Sequence, residues 1–310
     1  MPSTPQTGRH TGIDRHRHLP AGSAPRGAAG DPVDAAAAPG PSPVRRPFAN
    51  DFGLGEAAFG LLAGMVLVSI AAALVAAVHL PKGPGATLAT DGAGLAGWWL
   101  GFFGGAVVAT RRHDWARRAA AASPAATAVV SPAVTGRRPL WGALREDYGL
   151  SLRLWPDVPL GIAVGVASQY LLVPALELPL VPFVPHLFHR LGHPAETIVG
   201  QIHGPLLVVL GLLVCVGAPV FEELMFRGLL LRSLAGRLGV LGPRLGPAVA
   251  VVLTGIVFGL VHFEALQLIA LAGFGMVLCV LAWRTGRLGP GIVAHASFNA
   301  VSLAVIAARH

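Results

Sequence analysis

Charge is scarce in this sequence. Asp, Glu, Lys and Arg make up 12% of its 310 residues, about half the ~25% usual in soluble domains. With a mean hydropathy of +0.64, that argues against a soluble globular domain and for an integral membrane protein. Cysteine is scarce too: Cys215 and Cys279 lie within apolar runs and lack ligand-like spacing. A disulfide framework and a cysteine zinc site are therefore not expected, and both residues read as small buried hydrophobes. No apolar stretch with a cleavage site precedes residue 55, so no secretory signal is expected. A nucleic-acid partner is also set aside. The net charge is +8, but the basic residues lie between apolar runs rather than on one face, which is the pattern of membrane topology.

What the chain does have is apolar segments, at about 57–80, 91–110, 157–178, 204–222, 247–262, 266–283 and 289–308. Each is close to the ~20 residues a helix needs to cross ~30 Å of hydrocarbon. Helices are the expected spanning element, because backbone in lipid must satisfy its own hydrogen bonds. The expectation is an all-α, polytopic transmembrane bundle of about seven spans in the cell membrane. Gly60/Gly64, Gly101/Gly105, Gly161/Gly165 and Gly255/Gly259 are small-xxx-small pairs that allow close helix approach. Residues 1–50 are rich in Pro, Gly, Ala, Arg and His without apolar periodicity, so a disordered basic tail is expected there. Its His10, His16 and His18 read as solvated.

Orientation follows from the arginines. With a cytoplasmic N-terminus and seven alternating spans, only Lys82, Arg190 and Arg309, of 23 Lys and Arg, fall outside. That is the asymmetry of the positive-inside rule. Within the long basic connection 111–156, the stretch Trp141 to Trp155 mixes Leu, Trp, Tyr and charge, as an interfacial helix does. The outer loop 179–203 holds His186, His189, His193 and His203, and its Pro182, Pro185 and Pro194 are expected to break any continuous helix. Those histidines read as solvated rather than metal-bound. The chain divides into the tail 1–50, two added spans with a basic loop at 51–139, and a main domain at 140–310.

Three polar motifs interrupt the apolar segments. Glu222 and Glu223 lie ahead of Arg227, Phe258 lies four residues before His262, and His295 four before Asn299. Ionisable groups at membrane depth are costly and tend to be paired and functional. Glu223 and Arg227 are four apart, the favourable spacing for a helical ion pair, whereas Glu222 points about 100° away. Desolvation would raise the pKa of Glu222, as a general base near neutral pH requires. A bland alternative is that Glu222, Glu223 and Arg227 cap a helix at the cytoplasmic interface. For each histidine the bland alternative is a satisfied core residue. Two histidines and an acid–arginine motif would nonetheless incur desolvation repeatedly for no evident packing gain.

Together these residues resemble the three motifs of the CAAX-protease and bacteriocin-processing (CPBP, or Abi) family of intramembrane glutamate endopeptidases. The stretch from Gly275 through Trp283-Arg284-Thr285-Gly286 to Pro290 and His295 resembles the family's linker before its last motif. The resemblance spans about residues 140–308. It implies that Glu222 and His262 activate a water, that His295 and Asn299 donate to the developing oxyanion, and that Glu223 and Arg227 order the site. It also implies a CAAX prenyl protease-like hydrolase acting on a membrane-anchored peptide or protein: prenylated, otherwise lipidated, or bacteriocin-like. No cofactor is expected. Zinc on His262, His295 and a glutamate is the second option, but no His-Glu-x-x-His spacing occurs. Two further readings are a non-enzymatic membrane scaffold or sensor that retains the motifs, and a transporter, for which no convincing inverted repeat is seen.

Simple alternation creates a conflict. It sets Glu222 at the cytoplasmic end of one span and His262 at the outer end of the next, about 22 Å apart. Either the glutamate helix continues through Leu229-Leu230-Leu231, or the segment around His262 is broken.

Overall fold

In the computed structural model, residues 52–122 and 138–309 are described. The tail 1–50, with its expected disorder, and residues 123–137 of the basic connection lie outside the described residues. Among the described residues there is no strand. Six helices are long and apolar enough to cross a membrane: α1 (Leu54–Val78), α2 (Pro84–Ala121), α4 (Leu154–Leu180), α6 (Pro205–Leu241), α8 (Leu268–Thr285) and α9 (Gly289–Ala307). A shorter apolar helix, α7 (Leu245–Leu260), corresponds to the remaining expected segment, 247–262. Two further helices connect spans, α3 (Leu140–Tyr148) and α5 (Leu187–Val199).

Lipid as solvent explains the distribution of side chains. On α1, Leu62, Val66, Ile70 and Leu74 are exposed, while Ala57, Gly60 and Gly64 are buried. Because lipid tails are as apolar as leucine, the inward face of such a helix is selected for smallness. All four glycine pairs lie at such contacts. A Cβ on Gly101 would fall 2.2 Å from the Gly64 nitrogen, so α1 and α2 pack backbone to backbone. Gly161 and Gly165 meet α9 at Val293 and Ala294, and Gly255 and Gly259 meet α8 at Ala272.

One stretch departs from expectation. Pro194 does not break the outer connection but sits inside α5. A proline there removes one N–H from the ladder, yet the helix runs on to Val199. Gln267 at the start of α8 donates to the Leu191 carbonyl (2.9 Å) and ties α5 down.

On the side that the arginines assign to the cytoplasm, α3 forms a polar platform, shorter than the Trp141–Trp155 stretch anticipated. Trp115, Trp141 and Trp155 are exposed around it, as interfacial anchors are. Arg138 forks onto both Asp147 oxygens (3.0 and 2.9 Å) and also reaches Asp114 and Glu146. Arg232 donates to the carbonyls of Asp147 and Tyr148, and Leu288 N–H donates to the Gly149 carbonyl. The start of α9 is thereby pinned to the end of α3. Arg287 pairs with Asp157, and Arg112 with Glu56.

Burial pushes the Asp147 carboxyl up, but His113 and Arg138 outweigh it and hold the group below its ordinary value. A carboxyl depressed in the folded state stabilises above its unfolded pKa of ~3.9 and loses that contribution as pH falls through the folded value. The Asp147→Asn variant should therefore melt below wild type at about pH 6, with the gap closing towards about pH 3. Thermal midpoints in detergent across that range measure it.

Candidate active site

Helix α6 carries the first motif, and its local geometry follows from one proline. Pro219 has no N–H, and just before it the helix widens into a π segment, Leu213–Gly217, with Ala218 N–H bonded to the Leu213 carbonyl. The next N–H in that register would come from residue 219 and would serve Val214. Proline cannot supply it, and Asn299 Nδ2 donates to the Val214 carbonyl instead, at 2.8 Å. A second π segment, Leu224–Leu230, follows and contains Arg227. Such wide turns often mark functional sites.

The helix does not stop at Glu222. It continues to Leu241, so the hydropathy boundary at 222 is corrected. From Glu222 to Arg232, which bonds the α3 platform, the rise is about 15 Å. That sets Glu222 about halfway through ~30 Å of hydrocarbon. Phe226 and Phe258 touch edge-on, with centroids 5.2 Å apart, so α6 and the end of α7 meet at one depth. The 22 Å separation inferred from alternation does not occur.

Glu223 and Arg227 form an ion pair of 2.8 Å with both side chains 0% exposed. Arg227 Nη2 also donates to the Gly275 carbonyl (3.0 Å), and its guanidinium lies 4.4 Å from the Phe258 ring centroid, within cation–π range. His295 stands between the two glutamates. Its Nδ1 is 3.2 Å from Glu223 Oε1, and its Nε2 is 3.8 Å from Glu222 Oε2. A carboxylate oxygen can only accept, so Nδ1 carries the hydrogen and Nε2 faces Glu222. The latter distance is too long for a direct hydrogen bond. Phe258 and Phe274 wall the imidazole edge-on, each with its centroid at 5.7 Å.

Within the cluster, two carboxylate oxygens are buried without a hydrogen-bond partner among the described residues, Glu222 Oε2 and Glu223 Oε2. The second is crowded, since a Cβ on Gly291 would lie 2.7 Å from it. The Glu222 side chain retains 15% exposure, which makes it the accessible carboxylate of the pair.

His262 lies beyond the end of α7 and is exposed. Its Nδ1 is 2.7 Å from the Phe258 carbonyl, which as an acceptor assigns the hydrogen to Nδ1 and leaves Nε2 to accept. It makes no hydrogen bond to Glu222 and meets the cluster through the Phe258 ring, 4.9 Å away. The structure thus brings Glu222, Glu223, Arg227 and His295 into one cluster, with His262 beside it across Phe258. Asn299 is held one helix turn along α9. Sequence reasoning missed Phe274, the Val214 carbonyl and the crowding at Gly291. Pro219 inside an apolar run was the available sign of the orphaned carbonyl. Among the described residues no group of three or more His, Cys, Asp or Glu is arranged to hold a metal ion.

Fold and site together define a polytopic, all-helical membrane protein with an acid–imidazole–guanidinium cluster at mid-depth. Residues 204–301 match the family model described as type II CAAX prenyl endopeptidase Rce1-like. The match runs from the start of α6 into α9 and contains all six motif residues. It implies a membrane protease of the CAAX type in general. No curated protein and no solved structure matches the chain.

Proposed function

We propose that the protein is an intramembrane endopeptidase that hydrolyses a peptide bond in a membrane-anchored peptide or protein. The observation that carries the reading is Glu222 Oε2, a carboxylate oxygen without a hydrogen-bond partner facing an imidazole nitrogen at mid-membrane. Glu222 takes a proton from water as the water oxygen attacks the peptide carbonyl carbon. The C–N bond then breaks, and the proton passes to the departing amine. The Nε2 lone pair of His262 helps to orient the water. His295 and Asn299 donate to the oxyanion, a role worth ~2.7–4 kcal/mol per donor. For His295 this requires a ring that carries both protons, because Glu223 already holds Nδ1–H. Asn299 keeps one amide hydrogen beyond the one bound to Val214. Arg227 and Glu223 position the imidazole.

We assign residues 140–310 to the protease domain and 51–139 to two added spans that brace it. In support, Trp99 stacks on Phe221 with centroids 5.1 Å apart, next to Glu222. The substrate class is a lipidated, prenylated or bacteriocin-like peptide that enters from the cytoplasmic side, and the step needs no metal. The test is cleavage of a lipid-anchored peptide in proteoliposomes made with ¹⁸O water. The expected product carries one ¹⁸O in its new carboxyl terminus, at a rate unchanged by chelator. Absence of cleavage across a panel of such peptides favours the scaffold reading, and loss of activity with chelator contradicts the metal-free step.

A further inference from the structure

At the other end of the bundle, on the side the arginine count places outside, α4, α5, α8 and α9 face one another. They enclose a cavity of about 590 Å³, within the ~300–1,000 Å³ range of small-molecule sites. One wall is apolar, formed by Phe298, Val301 and Val305 of α9 with Leu271 of α8. Its polar side holds two acceptors of note. Glu177, near the end of α4, is 7% exposed and lines the cavity. Among the described residues no hydrogen bond or ion pair engages it. Gln169 Oε1, on the same helix, is likewise buried without a hydrogen-bond partner. Pro174 follows a π segment at Ser168–Leu172 and so offers no N–H to continue the ladder onto the Gln169 carbonyl. At the rim lie Arg309, paired with Glu196 at 3.2 Å, and the exposed imidazole of His189.

An unpaired buried carboxylate is expensive, and one that lines a cavity with an arginine at its mouth calls for a donor head carrying an anionic group behind it. We propose that this cavity binds one primary-amine phospholipid of the outer leaflet. Its ammonium sits on Glu177, its phosphate lies at the Arg309 rim, and one acyl chain runs along Phe298, Val301 and Val305. The lipid is separate from the catalytic step and does not depend on the protease reading. It reaches the catalytic cluster through Phe298, which stacks on Phe274 with centroids 4.0 Å apart, and Phe274 in turn walls His295. A bound lipid therefore holds α4, α8 and α9 in register beside the site.

The test uses the purified full chain in detergent, stripped of lipid and then offered an equimolar mixture of dioleoyl phosphatidylethanolamine, phosphatidylglycerol and phosphatidylcholine. Bound lipid is counted by native mass spectrometry. Wild type should retain phosphatidylethanolamine over the other two by about tenfold or more, the discrimination expected of one charge-assisted hydrogen bond. Phosphatidylcholine, whose quaternary head has no N–H, should bind no better than phosphatidylglycerol. The near-isosteric Glu177→Gln variant should lose most of that preference while its thermal midpoint without added lipid stays within a few degrees of wild type. Val301→Trp, which fills the cavity, should lose the lipid altogether. Equal retention of the three lipids by wild type, an intact preference in Glu177→Gln, or competition by free ethanolamine as effective as the lipid itself would each overturn the proposal.

Discussion

Glu222→Gln should lower turnover of a membrane-anchored peptide by about 10²–10⁴-fold, the usual contribution of a general base, with little change in stability. The substitution nearly preserves shape and leaves the Glu223–Arg227 pair intact. It removes a side chain whose buried Oε2 has no hydrogen-bond partner in the fold. A structural role would make the amide tolerable, and the variant would then keep the function of the wild type. Loss of kcat with an unchanged thermal midpoint is the outcome expected of a base. The comparison is single-turnover cleavage in proteoliposomes beside thermal unfolding of the same preparations.

Arg227→Ala should show the opposite balance, failing first in stability. Removing the guanidinium leaves Glu223 charged and buried, vacates the face of Phe258, and releases the Gly275 carbonyl. Breaking one partner out of a buried pair typically costs ~3–5 kcal/mol. Removing both charges, as in Glu223→Gln with Arg227→Met, should recover much of the stability, because well-packed neutral side chains often replace a buried pair at little cost. Activity should not return with it, since His295 would then lack the carboxylate that holds Nδ1. Unfolding midpoints and cleavage rates measured on the single and double variants separate the two effects.

Much of this arrangement was legible in the sequence. Every expected apolar segment is helical, and the glycine pairs mark the close crossings, because small residues are the means by which helices approach in lipid. The i,i+4 spacing of Glu223 and Arg227 was enough to pair them. Where α6 ends was harder to read. Charged residues lower hydropathy locally, yet here they neutralise one another inside the helix and allow it to run on past Glu222. The choice of imidazole partner was not legible either. Nothing in the spacing of His262 or His295 reveals that His295 lies between both glutamates while His262 turns outward beyond Phe258. That is set by how α9 crosses α6, and Gly291 is the residue that admits the crossing. Pro194 inside α5 shows the same limit, since a single missing N–H did not end a helix tethered by Gln267.

The most direct measurement compares the protein termini present in membranes of cells that express wild type with those of cells that express Glu222→Gln. Proteolysis with Glu222 as the base predicts at least one new terminus in a membrane-anchored protein that appears with wild type and is absent with the variant. Identical sets of termini, with the variant folded and present at wild-type levels, would contradict it.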